Sequence, residues 1–210
     1  AGVLSERVAV TNIAIEGMLL AGAFTGALAG SLLGGWGGVA AAVLVGGLFG
    51  LLLAALVVTY RVDQIIAGVV INLFVLGVTS YVSSQVFQEY RFLNNAPVFR
   101  VINIPLLSDI PVIGPVLFQQ NIFVYGALIM VAVATYYLFY TRSGLRARAV
   151  GEHPRAADTL GIDVYRIRYV NVTIAGMVAG FGGAWLTLGL VGRFDENMTG
   201  GRGFIALAAM

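Results

Sequence analysis

Glu16 is a carboxylate inside an apolar stretch of the sequence and is therefore the first candidate for chemistry. A charged side chain at the centre of a bilayer costs roughly 2.5–3.5 kcal/mol on insertion scales, and such residues usually face a cavity or a partner. Glu16 is accordingly predicted to line a path for a polar solute, together with Gly17, where the backbone is predicted to break. The alternative is that Glu16 lies at a membrane interface and extends its carboxylate to the surface.

Two asparagines form a second group of candidates. Asn72 lies in the middle of the apolar run 69–74, where an unpaired amide is costly. It either lines the same path and hydrogen-bonds a solute, or forms an interhelical hydrogen bond that contributes about 1 kcal/mol. Asn12 is a similar case: it is predicted to line the same path, and helix capping is its structural alternative.

Several classes of catalytic site are excluded by composition. The 210 residues include no cysteine, one histidine (His153) and no lysine, since all 12 basic residues are arginine. Thiolate and multi-histidine metal sites are therefore absent, and a phosphate-binding P-loop lacks its lysine. No paired carboxylates are evident, so the chain is predicted to be no enzyme and to need no cofactor. A net charge of +2 does not indicate nucleic-acid binding.

The elements that carry these residues are membrane-spanning helices. Only 10% of residues are charged, against about 25% in soluble domains, and the mean hydropathy is +0.92. A hydrocarbon core about 30 Å thick needs about 20 apolar residues per helix. The charge-free runs predict helices near 8–33, 36–60, 64–87, 120–140 and 169–191, with a glycine-rich turn at 34–38.

These runs predict an all-α fold, namely a polytopic transmembrane helical bundle that forms one domain over residues 1–210. The sequence begins without methionine and stops within the apolar run 205–210, so it is interpreted as a fragment of a longer permease-like chain, truncated at both ends. Six arginines in 141–168, against two in 89–119, place the former segment in the cytoplasm and the loop 88–119 outside.

The segment 141–168 contains a candidate docking helix. Pro154 suits the first turn of a helix, and Gly161 suits its left-handed end. An amphipathic connector with ordinary positive-inside charge is the alternative. The outer loop contains Pro97, Pro105, Pro111 and Pro115, which indicate either a rigid docking platform or a re-entrant segment.

The segment 155–161 resembles the cytoplasmic coupling segment of ABC-importer permeases, whose usual form is Glu-Ala-Ala, three residues and Gly. Here Arg155 replaces the glutamate, as in the branched-chain amino acid, ribose and nucleoside branch. Three further stretches are similar to the nucleoside and simple-sugar members of that branch: 5–7 followed by 12–18, 63–72, and 203–210. The loop 110–115 also resembles that branch.

The resemblance implies a permease subunit of an ATP-driven importer for nucleosides or simple sugars, in the plasma membrane of a bacterium or archaeon. Its implied partners are a separate ATPase subunit, a second permease in a homo- or heterodimer, an extracytoplasmic binding protein of the basic-membrane-protein type, and the lipid bilayer. A secondary transporter or channel for a small polar solute is the alternative. The residues predicted to couple to the ATPase are Arg148, Gly151, Glu152, Ala156, Ala157, Asp158 and Gly161, with the two alanines as a small packing face.

A weak internal repeat is the last feature. Residues 16–19 align with residues 202–205, so that Arg202 and Gly203 correspond to Glu16 and Gly17. Five predicted helices separate the two copies, an odd number, so the copies enter from opposite sides. Broken helices in an inverted repeat around a central site show this pattern. Arg202 and Gly203 are therefore predicted to line the same path as Glu16.

Overall fold

The structure is a computed structural model that describes residues 1–103 and 119–209. The helices are α1 (Gly2–Glu6), α2 (Ile15–Ala54), α3 (Gln64–Glu89), α4 (Ile122–Tyr140), α5 (Arg142–Glu152), α6 (Pro154–Thr159), α7 (Val164–Ala184) and α8 (Arg202–Ala208). The π-helical segments Ala55–Thr59 and Trp185–Val191 continue α2 and α7, and a 3₁₀ turn covers Arg91–Asn94. An antiparallel ribbon pairs β1 (Val101–Asn103) with β2 (Gln119–Asn121). The predicted all-α fold class is confirmed.

Helix α2 consists of two membrane passes rather than one. Gly34 adopts φ 80° and ψ 171°, which breaks the helix. The apolar stretch Ile15–Thr59 has 45 residues, about twice what one pass through a bilayer needs. The half 15–33 runs parallel to α7, since Gly22 meets Gly180 and Gly30 meets Leu188, whereas the half after Gly34 runs antiparallel to it. The two halves therefore form a hairpin around the glycine-rich turn.

The centre of the bundle is the contact between α2 and α7, which is built from small residues. A Cβ on Gly22 would lie 2.5 Å from the carbonyl oxygen of Gly180, and Gly46 packs against the backbone of Gly176 and Gly180. Helices in lipid gain little from hydrophobic exclusion, so close backbone approach through small residues is a main source of packing energy. This contact fixes α2, whose first turn carries Glu16.

The first predicted helix, near 8–33, begins later in the structure, at Ile15. Residues 7–14 are non-helical, and Gly17, the predicted break, lies inside the first turn of α2. Side chains of other elements satisfy the irregular backbone: Gln64 accepts from the Thr11 amide at 2.6 Å, and the Nε of Arg168 donates to the Val8 carbonyl at 3.1 Å. These long-range partners leave no trace in the hydropathy of the segment, so the prediction placed the break too late.

The segment 141–168 contains two short helices and the start of α7, where one helix was predicted. Helix α5 is amphipathic, with Gly144, Ala147 and Val150 buried at a spacing of three. The Thr141 hydroxyl caps it by accepting from the Gly144 amide at 3.0 Å. Of the loop prolines, Pro97 is exposed, and Pro105, Pro111 and Pro115 lie outside the described residues.

Candidate functional site

Asn72 closes the break that precedes α2. Its Nδ2 donates to the Ile13 carbonyl at 2.9 Å, and its Oδ1 accepts from the Gly17 amide at 2.7 Å. In a continuous helix these two backbone groups would bond to each other, since Gly17 follows Ile13 by four residues. The Asn72 carboxamide, which belongs to α3, therefore replaces the missing backbone hydrogen bond and pairs with both the carbonyl and the amide that would have formed it.

Glu16 closes a second break, which lies between α7 and α8. Its Oε1 accepts from the Thr199 hydroxyl at 2.6 Å and the Gly201 amide at 2.9 Å, and its Oε2 accepts from the Gly203 amide at 2.6 Å. The side chain is buried, with 8% of its surface exposed. A carboxylate that accepts from backbone N–H groups at a helix start makes charge-assisted bonds, which are shorter and stronger than neutral ones.

The two glycines of the predicted repeat, Gly17 and Gly203, occupy equivalent surroundings. Each donates its amide to a side-chain oxygen of another element, and each is packed too closely for a side chain of its own. A Cβ on Gly203 would lie 2.5 Å from the Cα of Glu16, and a Cβ on Gly17 would lie 2.8 Å from the Oδ1 of Asn72. We name the group formed by Glu16, Asn72, Thr199, Gly201 and Gly203 the polar junction.

Asn12 is buried beside the polar junction and is only partly satisfied. Its Nδ2 lies 3.7 Å from the Sδ of Met18, and its Oδ1 has no hydrogen-bond partner, although the side chain is 1% exposed. The structural alternative of capping is not observed, because the residue before α2 is Ala14 and no side chain caps that helix. Asn12 therefore carries a free acceptor next to the first turn of α2.

Arg202 departs from the arrangement that the repeat predicts. Its side chain is exposed and donates to the Met198 carbonyl at 3.2 Å, while the amides on either side of it bind Glu16. Within 1–103 and 119–209, the one ion pair joins Arg193 to Asp195. Thr199 and Gly201 were not predicted as partners of Glu16, although the Thr-Gly-Gly-Arg-Gly run before an apolar stretch was the available signal.

The predicted coupling segment exposes only part of its predicted face. Ala156 is exposed, whereas Ala157 is 3% exposed and packs inside the chain. Leu160, which was not predicted, is 80% exposed at the end of α6. Gly161 has φ 78°, the left-handed conformation expected of it.

The remaining residues that were predicted to couple to the ATPase differ in their surroundings. Glu152 and Asp158 are exposed, Gly151 packs against the Arg7 backbone, and the Arg148 guanidinium lies 5.1 Å from the Phe139 ring centroid.

The whole chain, residues 1–210, matches the family described as the permease component of branched-chain amino acid transport systems. The chain belongs to this permease family. It is 40% identical to the guanosine ABC transporter permease protein NupQ of Bacillus subtilis and 39% identical to the nucleoside ABC transporter permease protein NupC of Lactococcus lactis, covering 100% of this chain and 68% of each relative. It is 34% identical to a putative glucose ABC transporter permease protein of Haloferax volcanii, over 98% of this chain and 62% of that protein. No solved structure matches.

The permease is thus a multi-pass membrane protein and a transport component of an ABC transporter rather than an enzyme, as predicted. Among residues 1–103 and 119–209, four apolar helices are long enough to cross a membrane when the α2 hairpin is counted as one continuous stretch. In the part of the chain that the structure describes, no group of three histidine or acidic side chains is placed to hold a metal ion.

Proposed function

We propose that the permease forms the path of an ATP-driven importer for an uncharged, hydroxyl-rich solute, namely a nucleoside, with a simple sugar as the second candidate. The relatives named for guanosine, nucleosides and glucose support this substrate class. The observation that carries the proposal is the state of Glu16. Its two oxygens already accept hydrogen bonds from three donors of the chain and the side chain is 8% exposed, so little of its acceptor capacity remains for a cationic solute.

The groups left near the junction suit a neutral solute. Asn12 has an unpartnered buried acceptor, and an amide oxygen binds hydroxyl and N–H donors without needing an opposite charge. A nucleoside or sugar carries such donors and no charge. Under this proposal Asn12, which is buried in this structure, contacts the solute when the path opens, while Glu16, Gly17, Asn72 and Gly203 hold the broken helices that form the path.

The same state of Glu16 argues against the secondary-transporter alternative. Proton-coupled transporters commonly bind and release the proton at an acidic side chain inside the membrane. Glu16 is the acidic residue within the apolar spans, and its three hydrogen-bond donors compete with any such ion. The free energy for transport is therefore proposed to come from an ATPase subunit.

Reconstituted transport tests this function directly. The full importer, with its ATPase subunit and binding protein, is placed in proteoliposomes, and uptake of labelled guanosine is followed with and without ATP. We expect ATP-dependent accumulation that unlabelled nucleosides suppress and glucose does not. Suppression by glucose alone would identify the sugar as substrate. Uptake that follows an ion gradient without ATP would contradict the ABC mechanism.

Coupling to the ATPase is proposed to run through α6. Ala156 and Leu160 are exposed apolar residues on one side of this helix, and the exposed Glu152 of the preceding helix supplies a polar contact, whereas Asp158 lies on the opposite side of α6. Gly161 lets the chain turn away from the contact. Because Ala157 is buried within the chain, a bulky residue there would disturb the permease itself. The exposed Ala156 is therefore the position at which added bulk tests docking.

Ala156→Trp is expected to reduce co-purification of the ATPase subunit and to abolish stimulation of ATP hydrolysis by the loaded binding protein. Ser143→Trp, at an exposed position of α5 in the same segment, is the matched control and should leave both unchanged. If Ala156→Trp keeps the ATPase bound and stimulated, the segment is only a charged connector. A second permease subunit, an extracytoplasmic binding protein and a plasma-membrane location complete the proposed assembly, in keeping with the names of the relatives.

A further inference from the structure

A second polar site lies away from the junction, in a cavity of about 320 Å³ where α6 meets the ends of two membrane-spanning helices. Arg61, Arg155 and Arg168 line it, with Asp158 as the acidic residue among its lining side chains. These residues come from three separate parts of the chain: the turn after α2, helix α6, and the first turn and a half of α7. Folding thus collects three positive charges and one negative charge around one space.

The three guanidinium groups keep most of their hydrogen-bonding capacity. Arg168 donates its Nε to the Val8 carbonyl at 3.1 Å, and Arg61 lies 3.5 Å from the Tyr165 hydroxyl. Within the described residues, no carboxylate oxygen lies within 4.0 Å of a nitrogen of these three guanidinium groups. The ion pair found there joins Arg193 to Asp195. Each guanidinium has five N–H donors, so several remain to bind an anion.

The cavity lies at the level of a membrane interface. The apolar stretch of α2 ends at Thr59 and that of α7 begins at Val164, and the cavity lies between these two ends. Tyr60, Tyr165 and Tyr169 cluster at the same level, and Thr59 is hydrogen-bonded to Tyr169. Tyrosine is enriched where helices cross from hydrocarbon to headgroups.

We propose that this cavity binds the phosphate of an anionic phospholipid. Arginine forks match phosphate oxygens in bidentate geometry, and basic pockets between transmembrane helices are suited to lipid headgroups. Leu52 and Val170, on adjoining turns of α2 and α7, are 41% and 45% exposed and give the acyl chains an apolar surface. A free phosphate ion shares the headgroup chemistry but gains nothing from that surface.

Binding there joins α6 to the membrane spans. Arg155 belongs to α6, whereas Arg61 and Arg168 belong to the ends of α2 and α7, so one phosphate can contact all three elements. The cavity side of α6, with Pro154, Arg155 and Asp158, is distinct from the patch formed by Ala156 and Leu160. Lipid and ATPase can therefore occupy the two sides of this helix at the same time.

The test uses the complete importer in nanodiscs of phosphatidylcholine with added phosphatidylglycerol, followed by native mass spectrometry of the lipids retained. The double variant Arg61→Gln/Arg155→Gln removes two cavity charges. The control Arg146→Gln/Arg166→Gln removes two exposed charges of the segment 141–168 that lie outside the cavity. We expect the cavity pair to weaken retention of one phosphatidylglycerol by roughly 30-fold, because each arginine near the membrane surface contributes about 1 kcal/mol of attraction to an anionic lipid. The control pair should change retention by less than threefold.

Three results would overturn the proposal. Equal losses in both pairs would show that general positive charge attracts the lipid. Displacement of phosphatidylglycerol by inorganic phosphate would identify a free-anion site. Loss of the ATPase subunit from the cavity pair, with lipid retention unchanged, would show that these arginines contact the partner protein. Selective loss of the lipid, with the ATPase retained, supports the phospholipid site.

Discussion

Two breaks in the helical structure of the permease are closed by side chains of different chemistry. The break before α2 is closed by a neutral carboxamide, which supplies one donor and one acceptor to the two ends of a single missing backbone bond. The break before α8 is closed by a carboxylate, which only accepts and therefore gathers three donors. The first repair is local to one helix turn, whereas the second ties the beginning of α2 to the beginning of α8.

This difference separates two kinds of polar residue in a membrane protein. Asn72 restores the hydrogen bonding that a helix would have had, so its role is to make an irregular backbone tolerable in an apolar bundle. Glu16 adds a charge that no helix requires and joins two segments that are far apart in the sequence. We therefore expect changes at Asn72 to act on stability first, and changes at Glu16 to act on transport first.

The largest effect is expected from Asn72→Leu, which keeps the number and branching of the side-chain heavy atoms and leaves the Ile13 carbonyl and the Gly17 amide unpaired. Each unsatisfied buried group costs about 1–3 kcal/mol, so the bundle should lose roughly 2–6 kcal/mol. The measurements are membrane abundance and the apparent thermal midpoint of the purified importer.

Thr79→Val is the matched control, because the Thr79 hydroxyl is buried in the same helix but bonds only to carbonyls of that helix. Its replacement removes a donor and leaves no backbone group without its helical partner. If Asn72→Leu is as abundant and as stable as Thr79→Val, the carboxamide does not support the break, and a role in contacting solute is favoured instead.

Glu16→Gln should have the next largest effect. The glutamine keeps the size of the side chain, but an NH₂ group replaces one of the two carboxylate oxygens. This NH₂ group is a donor, and it faces the N–H or O–H donors from which that oxygen had accepted. Hydrogen bonds to charged groups contribute about 1.5–3 kcal/mol, so the link between α2 and α8 should weaken by that order. We expect nucleoside uptake to fall more steeply than membrane abundance.

Glu196→Gln provides the comparison for Glu16→Gln, since Glu196 is exposed in the same irregular segment before α8 and loses the same charge. Its uptake and abundance should match those of the unaltered permease. Should Glu16→Gln also transport normally, the carboxylate would be a dispensable interfacial group, as the alternative interpretation of the sequence holds.

Much of this arrangement was predictable from residues that violate the apolar pattern. Glu16 and Asn72 were predicted as site residues because polar groups are costly in apolar surroundings, and short motifs indicated the family. The position of the first break was not predictable, because Asn72, Gln64 and Arg168 reach it from other elements. The burial of Ala157 was equally hidden, since alanine suits a docking face and a packed interior alike, and only the docking of α6 on the bundle distinguishes them.

A smaller effect is expected from Thr199→Val, which removes one of the three donors to Glu16 and retains the two backbone amides. Loss of a single hydrogen bond to a charged acceptor should lower stability by about 1.5 kcal/mol, the lower end of the range for such bonds, because the two backbone amides still pair with the carboxylate. Uptake should be reduced less than in Glu16→Gln, and Thr199→Ser should restore it because the hydroxyl returns. A Thr199→Val permease that is as impaired as Glu16→Gln would indicate that the hydroxyl, rather than the amides, holds the junction.

The smallest effect is expected from Arg202→Gln, at the position that the internal repeat pairs with Glu16. Its guanidinium is exposed and makes one hydrogen bond, at 3.2 Å, to the Met198 carbonyl, so the charge is solvated and contributes little. We expect stability to change by less than about 0.5 kcal/mol and uptake to remain unchanged. The measurement is initial uptake rate per permease in the membrane, set against Arg193→Gln, an exposed arginine of the neighbouring segment. A fall in uptake specific to Arg202→Gln, with stability retained, would return the side chain to the solute path and make the repeat chemical as well as structural. Unchanged uptake would leave the two copies related through Gly17 and Gly203, whose amides occupy corresponding positions in the two breaks.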